Sequence, residues 1–189
     1  MSSLNGEIKI IKSRRKTISV SVENSDTVIV RAPNRASKKF IYEFLEKHAD
    51  WIEKQKAAAK VREEELGQIR KLTPLEIEEL ADMACEVFKS KVEYYAPIVG
   101  VTYGRITIRN QKTLWGSCSK KGNLNFNVAL MRAPIEVLDY VVVHELCHRL
   151  HANHSKEFWK EVERVLPNYK VQEKWLKDNG QRLMAETHL

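Results

Sequence analysis

The chain has 189 residues, 43% of them hydrophobic and 30% charged, with a formal net charge of +7. That length buries one core, or one core with an appendage. No stretch approaches the roughly 20 apolar residues that cross a bilayer, and Met1-Ser-Ser-Leu-Asn-Gly-Glu7 lacks the basic and apolar regions of an export signal, so no membrane partner is expected. Three cysteines, an odd number without framework spacing, argue against a disulfide scaffold and for a reducing, cytoplasmic setting.

From the N-terminus, Glu7 to Val22 and Thr27 to Arg31 are rich in Ile, Val, Ser and Thr with partial alternation, broken by Asn24-Ser-Asp26, which predicts a β-hairpin closed by Ala32-Pro-Asn34. From Ser37 to Ile69 apolar residues recur at helical spacing through Phe40, Ile41, Phe44, Leu45, Trp51 and Ile52, then fade into a charged, Ala-rich helix. A boundary at Gly67 or at Leu72-Thr-Pro74 divides the chain into an N-terminal hairpin-and-helix extension, residues 1–72, and a second domain, residues 73–189. Thr73 caps the next helix, with Pro74 at its first position and Glu76 at the positive end of the dipole; it should run to about Tyr95 and stop before Pro97. Thr102 to Asn110 and Asn123 to Met131 follow as strands.

Ala133-Pro-Ile-Glu136 then opens an apolar helix that carries His144, Glu145 and His148 as H-E-x-x-H. Residues four apart lie one turn above each other, so the two imidazoles project from one face toward a single ion. Glu145 is rotated by about 100°, near the metal without having to ligate it, and suits an acid or base acting on a metal-activated water. Catalytic zinc takes a third protein ligand and keeps a fourth position open. His151 lies roughly 10 Å further along an unbroken helix. His154 returns to the metal if the helix stops near Ala152-Asn153, where Asn tolerates a left-handed residue, and Ser155 then caps the following helix. Glu157 and Glu161 offer a carboxylate alternative; His154 is favoured.

Cys147 reads as a small buried thiol. Cys118 lacks a C-x-x-C partner, and His48 and His188 are isolated, so none of these marks a second metal site.

Three blocks, Thr113-Leu-Trp-Gly-Ser-Cys-Ser-Lys-Lys-Gly-Asn-Leu-Asn-Phe-Asn127, Leu138-Asp-Tyr-Val-Val-Val-His-Glu-Leu-Cys-His148 and Asn153-His-Ser-Lys-Glu-Phe-Trp159, together resemble the YgjP-like zinc metallopeptidase family, related to the SprT and WLM-type peptidases. The spacing also resembles the metzincin motif, with His151 where those proteases have glycine. The YgjP-like resemblance implies an α+β, zincin-like catalytic domain with a small antiparallel or mixed sheet beside the active-site helix. It further implies one zinc ion held by His144, His148 and His154, Glu145 as the catalytic general base, and a protein or peptide substrate. In a zincin the strand beside the active-site helix is an edge that pairs with an extended peptide, and Asn123 to Val128 is the candidate for it, with Asn125 and Asn127 equally readable as ordinary solvent-facing positions. Tyr169, Arg164 and Lys170 are candidates for stabilising the oxyanion, with nothing in the spacing to select among them.

Two other readings stay open. The charge of +7, with Lys12-Ser-Arg-Arg-Lys16 and Lys38-Lys39 as local clusters, allows a protease acting on nucleic-acid-bound proteins. The same site also suits a metal-dependent amidohydrolase of a non-peptide substrate.

Overall fold

The apolar residues gather into two separate cores, one in each of two units, Met1–Gln68 and Ile69–Leu189. The computed structural model describes residues 6–188; residues 1–5, which carry part of the reading of the N-terminus, and residue 189 lie outside the described residues.

The first unit holds β1 (Glu7–Ser13), β2 (Ser19–Val22) and β3 (Thr27–Pro33) in the order β1-β3-β2. The expected hairpin is β2–β3, turned where the Asn24 side chain accepts from the backbone N–H of Asp26 and Thr27. The long first strand is instead two. It breaks over residues 14–18, and β1 pairs parallel with the far side of β3, a long-range pairing that local alternation does not reveal. The expected single helix also divides, at His48, into α1 (Lys38–Lys47) and α2 (Ala49–Gly67). Ile41, Leu45 and Ile52 from these helices pack with Val28, Val30 and Ala32 of β3.

In the second unit α3 (Pro74–Val99) starts with a full capping box between Thr73 and Glu76. It runs through Pro97 instead of stopping before it. Ala96 and Val99 are buried in the core, so packing holds the last turn, and Gly100 ends the helix in the left-handed conformation with its N–H on the Ala96 carbonyl. The sheet that follows comprises β4 (Ile106–Arg109), β5 (Gly116–Cys118) and β6 (Leu124–Asn127), in the order β4-β6-β5. β6 pairs parallel with β4 and antiparallel with β5, so it is the central strand and not the free edge expected of Asn123 to Val128. It is also shorter than expected: at Asn127 the side chain caps a 3₁₀ turn, Val128–Arg132, that leads to α4 (Ile135–Cys147), α5 (Lys156–Val165) and α6 (Tyr169–Thr187).

The unit is therefore α+β, a small mixed sheet beside one deeply buried helix. Nine of the 13 residues of α4 are buried. Phe126 of β6 stacks on Phe88 of α3, centroids 4.5 Å apart and planes 6° from parallel, and this pair ties sheet to helix layer. No helix among the described residues is long and apolar enough to cross a membrane.

Phe126→Ala should leave a cavity between sheet and helices that costs about 3–5 kcal/mol. Chemical denaturation checks this, and a loss below about 1 kcal/mol would mean the Phe88–Phe126 contact does not hold the sheet in place.

Candidate metal centre

His144 lies in the last turn of α4, and His148 is its C-cap. The helix thus ends several residues before Ala152-Asn153, and no non-glycine residue among those described has a positive φ, so the expected left-handed Asn153 is not how the chain turns. Instead the Cys147 carbonyl accepts from the N–H of both Leu150 and His151, which tightens the chain into a turn directly after the helix. His148 Nδ1 lies 3.0 Å from the His151 carbonyl, closing the same turn. Ser155 caps α5 through the Phe158 N–H, as expected.

This turn brings His154 back over the helix. Its Nε2 faces His144 Nε2 at 3.0 Å, and the ligand atoms of His144, His148 and His154 lie within 4.8 Å of one another. Nitrogens around one tetrahedral zinc sit about 3.3 Å apart for bonds of about 2.0–2.1 Å, so the spacing suits a shared ion. The His151 ring is outside this cluster and only its carbonyl serves, fixing the His148 tautomer so that Nε2 is left with its lone pair. Glu157 is exposed and Glu161 is engaged by Arg164, so neither joins the cluster.

The surroundings hold His144 and His148 neutral. Burial, then the neighbouring His148 and His154, lower the pKa of His144 to about 3, and burial lowers that of His148. The His144 ring is enclosed by Phe158, Tyr140 and Trp159, and its buried Nδ1 has no hydrogen-bond partner among the described residues. Two imidazoles that have already lost their protons, with the His154 ring facing them, fit a zinc ion by the chemistry of the donor set.

Glu145 is 5% exposed, without an ion-pair partner among the described residues, and burial raises its pKa to about 8. It is seated against β5. A Cβ on Gly116 would stand 2.6 Å from Glu145 Oε1 and 2.7 Å from its Cγ, so only glycine leaves room for the carboxyl. Around it runs a cleft of about 520 Å³ whose lining includes Gly116, Cys118, Lys120, Glu145, His148 and His154. Gly116, His144 and Glu145 also border a second cavity of about 200 Å³, walled by Leu114, Trp115, Tyr140, Val141 and Leu176.

β5 supplies the free edge in place of β6. Trp115 accepts from the Asn127 N–H and the Ser119 N–H donates to Asn123, so these residues turn their backbone groups toward β6. By antiparallel alternation those of Gly116 and Cys118 face outward, on the strand that borders the cleft. Sequence reasoning assigned no role to Trp115, Gly116, Tyr140 or Leu176. The available signals were a glycine in a short strand beside the motif and Tyr140 one turn before His144 on the same helix face. Of the oxyanion candidates, Arg164 is held by Glu161 and the Ile98 carbonyl, and Tyr169 is stacked between Trp159 and Tyr140. Exposed Lys170 lies over the Tyr169 ring. Cys147 is fully buried, and burial and the Glu145 carboxyl push the Cys118 thiol up, which keeps it protonated.

Because the folded pKa of Glu145 lies above its ordinary 4.5, its contribution to stability is present below pH 4.5 and lost as pH rises toward 8. Metal-free Glu145→Gln should therefore melt with the wild type near pH 4 and several degrees above it at pH 8. A gap that stays constant with pH would contradict the burial of an uncompensated carboxyl.

The YgjP-like, metallopeptidase domain family model matches residues 16–79 and 77–179. Among solved structures, the chain is similar to the metallopeptidase zymogen abylysin of Pyrococcus abyssi, at 29% identity and TM-score 0.47, over 50% of this chain and 96% of that one. It is also similar to the metallopeptidase zymogen jannalysin of Methanocaldococcus jannaschii, at 24% identity and TM-score 0.43, over 50% of this chain and 95% of that one. No curated protein matches. With both matched segments together spanning most of its length, this chain belongs to the YgjP-like metallopeptidase family, whose members are metal-dependent hydrolases of proteins or peptides.

Proposed function

We propose that this chain hydrolyses peptide bonds with one zinc ion held by His144, His148 and His154 and with Glu145 as general base. The observation that carries the reading is the convergence of three imidazoles beside a buried carboxyl at an open cleft. Zinc bound there supplies a Lewis acid that lowers the pKa of a water toward 7 and polarises a carbonyl.

The chain's own residues divide the remaining work. His148, oriented by the His151 carbonyl, and the enclosed His144 would hold the ion together with His154, which is the exposed member of the three. Glu145 takes a proton from the attacking water as its oxygen bonds to the carbonyl carbon, then delivers that proton to the amine as the C–N bond breaks. A cation at the three imidazoles would draw that raised pKa back down, so the carboxyl would start ionised, ready to accept the proton and to give it up again. The outward backbone groups of Gly116 and Cys118 take the substrate as an added strand. The cavity between Trp115, Tyr140 and Leu176 receives an apolar side chain next to the cleaved bond. Catalysis belongs to residues 73–189, with 1–72 as an extension, and the three free cysteines suit a reducing, cytoplasmic setting.

Zinc-loaded protein should cleave an unfolded substrate such as casein, and Glu145→Gln should abolish cleavage by a factor of about 10³ or more while zinc stays bound, as metal analysis of both proteins would show. Undiminished cleavage by the variant would remove Glu145 from the chemistry. Gly116→Ala, which pushes the carboxyl out of its seat, should cut kcat at least tenfold with zinc retained; wild-type kcat would mean the close approach has no part in positioning Glu145.

A further inference from the structure

Charge is separated along the sheet of the N-terminal unit. Residues 10–22 and 31–39 contain eight Lys and Arg and no Asp or Glu. The topology collects them at one end. β1 and β3 run parallel and finish together, Ser13 opposite Pro33, and β2 starts there, Ser19 opposite Arg31. The loop after β1, with Arg14, Arg15 and Lys16, therefore lies beside the segment after β3, with Arg35, Lys38 and Lys39. Two hydrogen bonds join the segments, from Lys12 Nζ to the Ala36 carbonyl and from the Asn34 N–H to the Ser13 carbonyl.

The acids sit at the other end, about 20 Å away along a seven-residue strand. Glu7 and Glu23 share Lys9 there, and Glu63 binds Ser25 in the adjacent turn. Among the described residues, the basic end has a single ion pair, Lys39 with Glu43 at 4.0 Å, between side chains that are mostly exposed. Seven cations, four of them Arg, are left at this end with no acid within ion-pair distance among the described residues, and all but half-buried Arg15 are exposed.

We propose that this basic end binds nucleic acid through its phosphate backbone. A cluster of cations gathered at the strand ends suits a run of linked phosphates, and the guanidinium fork matches each phosphate. Half-exposed Phe40, next to Lys38 and Lys39, adds a ring on which a base can stack. A bilayer fits less well. The apolar face of α1, Ile41 and Leu45, is fully buried against the sheet and is not free to enter lipid.

The inference does not depend on the peptidase reading, since binding needs neither zinc nor cleavage. Fluorescence anisotropy of a labelled 20-nucleotide single strand with the full chain tests it. The expected result is micromolar affinity at about 50 mM salt, with log K falling against log salt at a slope of about −3, as four or five phosphate contacts require. Arg14→Glu with Arg15→Glu should weaken binding at least tenfold. The same charge change on α6, Lys174→Glu with Lys177→Glu, should leave it within twofold, with circular dichroism confirming that both variants are folded. The proposal is overturned by absent binding at low salt, by equal losses in the two double variants, or by binding to phosphatidylserine vesicles without binding to the oligonucleotide.

Discussion

Desolvation of α4 is the constraint on which the site depends. A helix with nine buried residues in 13 fixes its backbone by packing, and the same packing desolvates the half-buried His144 and the buried Glu145. The imidazole gives up its proton and the carboxyl keeps one, so two neighbouring residues on one turn carry opposite and complementary shifts, to about 3 and about 8. Both are costly in the metal-free fold. A cation held by the histidines would repay that cost in the way bound ligands stabilise a fold, by binding the folded state and not the unfolded one.

Much of the remaining local architecture serves that helix. The turn after Cys147 folds His154 back over His144 and spends the His151 carbonyl on His148. β5 passes close enough to Glu145 that position 116 has no room for a side chain, and a Cβ on Gly180 would likewise stand 2.6 Å from the Trp115 indole, so that ring is seated on α6 as a wall of the apolar cavity. Hence the Trp-Gly-Ser-Cys block, which at first reads as a family marker, has a physical role at each of its first two positions. Trp115 walls the cavity, and Gly116 makes space for the carboxyl.

What was legible in the sequence followed from local rules. The H-E-x-x-H spacing, the Thr73–Glu76 box, the Ser155 cap and the return of the chain at His154 each depend on residues within about ten positions of one another. What was not legible depended on distant partners. The parallel pairing of β1, the central place of β6 and the free edge of β5 are set by which strands meet, and a three-residue strand is too short to show alternation. Pro97 reads as a stop by its own chemistry, but burial of Ala96 and Val99 carries α3 past it. The early end of α4 was missed because it comes from carbonyl sharing at Cys147 and not from a helix-breaking residue.

The proposed centre is one zinc ion held by three imidazoles that include His154. Zinc K-edge absorption together with metal analysis, on wild type and His154→Ala, tests it directly. A three-histidine centre should give one zinc per wild-type chain, nitrogen neighbours at about 2.0–2.1 Å with no sulfur, and zinc binding weakened by at least tenfold in the variant. A sulfur neighbour, or full zinc affinity without His154, would contradict it.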